Sequence, residues 1–261
     1  MTNNPNVDAV LKRDRMIVLA GLAAIVLFAA IYTVNMALTY GGVPATMLRH
    51  HDAAGHGGDS FLNLFVMWAV MQVAMMSPTA VPMLLMHTKV ARYHHPGRSP
   101  LIPTTLFFLG YVLVWAAFSA FFAFAQMLMQ STALLSPRLA SASPWLAGGI
   151  LIAAGLFQFS RLKEACLSHC RSPVTYFMFE WRQGHRGALR MGLKHGVHCV
   201  GCCWILMALL FVAGVMNLLW MALITAFVLI EKAMPRGELI GRLGGVGMLV
   251  WGVSLIVIAW V

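Results

Sequence analysis

Hydrophobic positions in this chain come in long unbroken blocks joined by short polar connections, not in the alternation of a strand or the half-apolar face of a soluble helix. A helix needs about 20 apolar residues to cross the hydrocarbon core of a bilayer. Seven blocks approach that length: 16–39, 61–86, 103–129, 145–162, 198–215, 218–233 and 239–261. The fourth and sixth are short, and only Met216 and Asn217 part the fifth from the sixth, so that pair is expected to form a tight helical hairpin. The connection from Ser160 to Lys194 has room for a short amphipathic helix such as "VTYFMFEWRQG". The fold class is therefore expected to be all-α, a polytopic transmembrane bundle of about seven helices forming one integral membrane domain over residues 1–261.

Composition agrees with this pattern. The chain is 60% hydrophobic and 10% charged, with a mean hydropathy of +0.79, outside the range of soluble globular domains. The first block follows Lys12, Arg13 and Arg15 but is too long for a secretory signal, so it reads as a retained helix.

Of the 18 Lys and Arg residues, 16 lie in the amino-terminal tail, after the second and fourth blocks, or before the seventh; the alternate loops hold only Arg49 and Arg138. Basic residues stay on the cytoplasmic side, so the amino terminus is expected in the cytoplasm and the carboxyl terminus in the periplasm of a bacterial inner membrane. The net charge of +10 is then a property of membrane-flanking segments. The lipid bilayer is the expected partner, and nucleic acid is not.

All five cysteines, Cys166, Cys170, Cys199, Cys202 and Cys203, fall within 38 residues. At about 100° per residue, His195, His198, Cys199, Cys202 and Cys203 share one helix face, and Cys166, His169 and Cys170 share another if the fourth helix runs that far. The topology brings both faces to the cytoplasmic side. Thiolate and neutral imidazole suit soft or borderline metals. A lone Cys packs well as a small hydrophobe, but so many polar donors at a membrane boundary are costly without a ligand. "CVGC" also has the spacing of a thiol redox pair, although the expected side faces a reducing compartment.

The second block carries Met67, Met71 and Met75 at four-residue steps, then Met76, Met83, Met86 and His87. Thioether sulfur favours Cu(I), while a Met stripe also serves as flexible packing. Pro78 and Pro82 interrupt this helix in mid-membrane, where other groups must satisfy the freed backbone. Glu231 ends the sixth block beside Lys232, either as a functional acid or as an ion-pair partner. His50, His51, Asp52, His56 and Asp59 lie in a Gly-rich outer loop that reads as solvated, with weak ion collection as the alternative.

"MMSPTAVPM", "LFQFSRLKEACLSHCRSP", "GLKHGVHCVGCCWILM" and "GVMNLLWM" followed by "EK" resemble a bacterial family of predicted metal-binding integral membrane proteins of unknown function. The resemblance implies a helical membrane fold and metal ligands among Cys166, His169, Cys170, His195, His198, Cys199, Cys202 and Cys203. Met75, Met76, Pro78, Pro82 and Glu231 stand in matching surroundings.

The expected function is binding of a soft transition metal near the cytoplasmic face, copper ahead of zinc and haem behind both, for transport, homeostasis or delivery to a metallochaperone or membrane metalloenzyme. Met75, Met76, Met83, His87 and Glu231 are secondary candidate ligands, and no catalytic residue is assigned. The alternatives are a thiol- or quinone-linked membrane oxidoreductase using Cys199 and Cys202, and a structural subunit of a membrane enzyme complex.

Overall fold

The computed structural model describes residues 5–42, 60–95, 97–132, 134–135 and 143–260. The outer loop with His50, His51, Asp52, His56 and Asp59 lies outside the described residues, as do Arg49 and Arg138. Within them the chain is helical: α1 (Pro5–Gly42), α2 (Phe61–His94), α3 (Leu101–Ser131), α4 (Pro144–Phe157), α5 (Arg161–Arg171), α6 (Pro173–Glu180), α7 (Gly184–Ala208), α8 (Leu210–Ala213), α9 (Leu218–Ala233) and α10 (Gly237–Trp260).

Five stretches are long and apolar enough to cross a membrane: residues 9–38, α2, α3, residues 184–213 and α10. The α4–α5 pair, bent by 64°, makes a sixth if it is one broken span. At 16 residues, about 24 Å, α9 is shorter than the other spans.

The apolar blocks and the helices differ for local reasons. Block four stops at Phe157, and the Ser160 hydroxyl then accepts the Lys163 backbone N–H at 3.2 Å, capping a new helix in a new direction. Pro173 at the first position of α6 starts another helix at once. The Ser160–Lys194 connection is therefore three helical pieces, the last being the opening of α7, which begins fourteen residues before His198. Hydropathy missed that opening because Arg186, Arg190 and Lys194 interrupt the apolar run. Asn217 caps α9 through Trp220 N–H at 3.3 Å, completing the hairpin at the expected place.

Lipid offers apolar helices no incentive to associate, so close packing and interhelical hydrogen bonds must hold such a bundle. The α3–α7 contact shows how close the packing is: a Cβ on Gly192 would overlap the Phe107 backbone, and one on Gly110 would lie 2.8 Å from Leu193 N. Trp68 Nε1 donates to Gln126 Oε1 at 2.7 Å between α2 and α3, and Arg92 Nε donates to Asp14 Oδ2 at 2.9 Å between α2 and α1. Large apolar side chains such as Phe28, Leu38, Ile258 and Trp260 are exposed on α1 and α10, as lipid-facing surface would be.

Replacing Gly192→Ala should force α3 and α7 apart at a cost of about 1–3 kcal/mol. The melting temperature in detergent is expected to fall, whereas Gly149→Ala, whose added Cβ meets nothing within 4 Å, should not lower it.

Candidate metal centre

The two donor-bearing segments meet where α5 packs along α7. Cys170 on α5 and Cys199, Cys202 and Cys203 on α7 lie in the same buried core where the two helices pack. All four are buried, and all five cysteines are free thiols. Cys202 and Cys203 each donate back to the Cys199 carbonyl, at 3.1 and 2.9 Å. Cys166 is half-buried against α7, where the missing side chain of Gly201 lets it lie; a Cβ there would be 2.7 Å from Cys166 Sγ. Among the described residues no group of three or more His, Cys, Asp or Glu side chains is already arranged to hold a metal ion. The buried thiols pack on one another instead.

One turn of α9 completes the surroundings. Glu231 and Lys232 do not pair with each other. Glu231 takes the Lys163 ammonium on both carboxylate oxygens, at 2.7 and 2.9 Å, with Gln158 Oε1 as that ammonium's third partner. Both charged side chains are at most 4% exposed. Lys232 turns the other way and donates to Cys199 Sγ at 3.0 Å and to Thr79 Oγ1 at 3.2 Å. Tyr111 from α3 touches the same thiol, its hydroxyl 3.2 Å from Cys199 Sγ, and donates to the Met76 carbonyl at 2.9 Å. Thr79 bonds that carbonyl as well, at 2.8 Å. The proline-interrupted stretch of α2 is thus tied to Cys199 through the Tyr111 hydroxyl and through Lys232, which also holds Thr79.

The remaining candidates divide. His195, one turn before Cys199, is buried with its ring stacked on Tyr111 and Phe107, at centroid separations of 5.5 and 5.9 Å. Its Nδ1 has no hydrogen-bond partner among the described residues. His169 and His198 sit at the outer edge of the α5–α7 contact, rings stacked 4.3 Å apart. His87 is buried elsewhere, 3.0 Å from Thr104 Oγ1 and packed on Phe107, Phe177 and Trp181. Met75, Met76 and Met83 are buried on α2, and Met76 is joined to the thiols through its backbone carbonyl. Nearby, Lys194 closes on Glu180 at 2.5 Å, tying α6 to α7 and holding that carboxyl below its usual range.

Sequence reasoning did not single out Lys163, Lys232, Tyr111 or Thr79 as site residues. Lys232 had a readable signal, since a second charge at the end of a short apolar helix needs a partner of its own. Thr79 is legible only as a group that satisfies backbone near the prolines, and Tyr111 has no signal, because their contacts to α9 and α7 depend on which helices become neighbours.

The buried Lys163–Glu231 pair gives a direct test of the surroundings. Glu231→Leu alone strands the Lys163 ammonium and should cost about 3–5 kcal/mol, read as a large drop in melting temperature. Glu231→Leu combined with Lys163→Met should recover most of that loss.

No curated protein matches the chain, and no solved structure does. The PpoB2 copper chaperone family matches residues 65–255, the stretch that runs from α2 into α10 and contains every thiol, Lys163, Tyr111 and Lys232. That match covers well over half of the chain, which therefore belongs to the PpoB2 copper chaperone family.

Proposed function

We propose that this protein is a multi-pass membrane protein of the bacterial inner membrane, folded as one domain, that holds Cu(I) as cargo on its buried thiols and passes it to another protein. The observation that carries this reading is the burial of Cys170 together with Cys199, Cys202 and Cys203 where α5 packs along α7. Four thiols on two helices, among apolar neighbours, are a donor set that Cu(I) prefers to harder ions. Family membership supports copper, and neither zinc nor haem.

Binding proceeds by exchange. Small χ1 rotations of Cys170, Cys199 and Cys202 turn the sulfurs from one another onto the ion, and each thiol that binds gives its proton to solvent. Three thiolates and one Cu(I) carry a net charge of −2, of which the Lys232 ammonium beside Cys199 balances one unit. An uncompensated charge would be costly in this interior. Tyr111 ties α3 and α2 to the same corner, and Thr79 accepts from Lys232 there. The Lys and Arg distribution supports a cytoplasmic amino terminus, which would put α5 and the opening of α7 on the cytoplasmic side.

Protein purified anaerobically and loaded with Cu(I) is expected to retain near-stoichiometric copper, and a Cys199→Ser, Cys202→Ser double variant to lose it. Lys232→Met should fold and bind copper more weakly, by about one to two orders of magnitude for removal of a supporting partner. Equal, negligible copper in wild type and double variant would contradict the reading.

A further inference from the structure

The thiols are not the only paired donors where α5 meets α7. His169 and His198 face each other at the exposed edge of that contact, ring centroids 4.3 Å apart and planes within 18°. Each ring uses Nδ1 on the backbone carbonyl four residues back, His169 on Ala165 at 2.9 Å and His198 on Lys194 at 2.7 Å. A carbonyl only accepts, so in each neutral ring Nδ1 carries the proton and Nε2 keeps its lone pair. This second contact fixes tautomer and orientation as it does in metal-binding histidines.

Cys166 lies one turn before His169 on α5, half-buried against Gly201, one turn after His198 on α7. The donors therefore form a series from outside to inside: two imidazoles, one exposed and one half-buried, then a half-buried thiol, then four buried thiols.

Resting on the thiol site proposed above, we infer that His169 and His198 form a separate outer station where Cu(I) enters and leaves, with Cys166 relaying it to the buried thiols. The chemistry sets the direction of loading. Imidazole is a borderline ligand and thiolate a soft one, so Cu(I) held briefly by the histidines moves downhill to sulfur. The ion changes ligands without changing oxidation state, and a neutral imidazole need release no proton to receive it. A receiving protein need reach only the exposed edge, because the buried thiols are closed off by the packing of α5 on α7.

The test is the rate of Cu(I) transfer from its bicinchoninate complex to the full-length protein, followed anaerobically by loss of chelator colour, with the final copper load measured in the same samples. The His169→Ala, His198→Ala double variant is expected to load about tenfold or more slowly yet reach the wild-type copper content. A His169→Met, His198→Met variant, which puts thioether donors in place of the imidazoles, should recover the rate. An unchanged rate in the alanine variant would overturn the outer station. So would loss of the copper load itself, because the imidazoles would then be ligands of a single site. Absence of copper from the wild-type protein would instead remove the thiol site on which the inference rests.

Discussion

A single turn of α9 holds the centre of this molecule together. Two adjacent charged residues project from it in different directions, Glu231 onto Lys163 of α5 and Lys232 onto Cys199 of α7 and Thr79 of α2. Charges in so apolar an interior persist only with partners, and meeting that need draws three helices to one place. The thiols of α5 and α7 become neighbours by the same arrangement. Close packing of α3 on α7 at Gly110 and Gly192 then brings Tyr111 against Cys199.

Much of the fold was legible in the hydropathy pattern. Long apolar runs specify helices whatever their neighbours, so α1, α2, α3 and α10 stand close to their expected places. The pattern failed where polarity and helicity part company. Arg186, Arg190 and Lys194 belong to α7 although nothing apolar marks them, and the apolar run ending at Leu162 is broken at Ser160 because a hydroxyl caps a new helix there. The 16-residue α9 reads as a membrane segment by composition and is shorter than one by length.

The candidate site was legible to the extent that it is periodic. Of the five residues expected on one face of α7, His195, Cys199, Cys202 and Cys203 are buried and His198 is half-buried at its edge, and Cys170 lies in the same core from α5. Periodicity assigns a face but not a depth, so it could not separate the buried thiols from exposed His169 and half-buried Cys166. Nor could it place His87, which the fold buries among aromatic rings beside Thr104. Lys232 and Tyr111 enter the site only through the tertiary fold, and they distinguish this arrangement from a mere gathering of sulfurs: one supplies countercharge and the other ties the proline segment of α2 to the thiols.

The central claim is that copper is held by sulfur from both α5 and α7. X-ray absorption at the copper K edge of the loaded protein tests it most directly, with wild type compared to Cys170→Ser. The account requires Cu(I) with a first shell dominated by sulfur, and a loss of sulfur ligation when Cys170 alone is replaced. A first shell of nitrogen and oxygen, or one unaffected by that replacement, would contradict it.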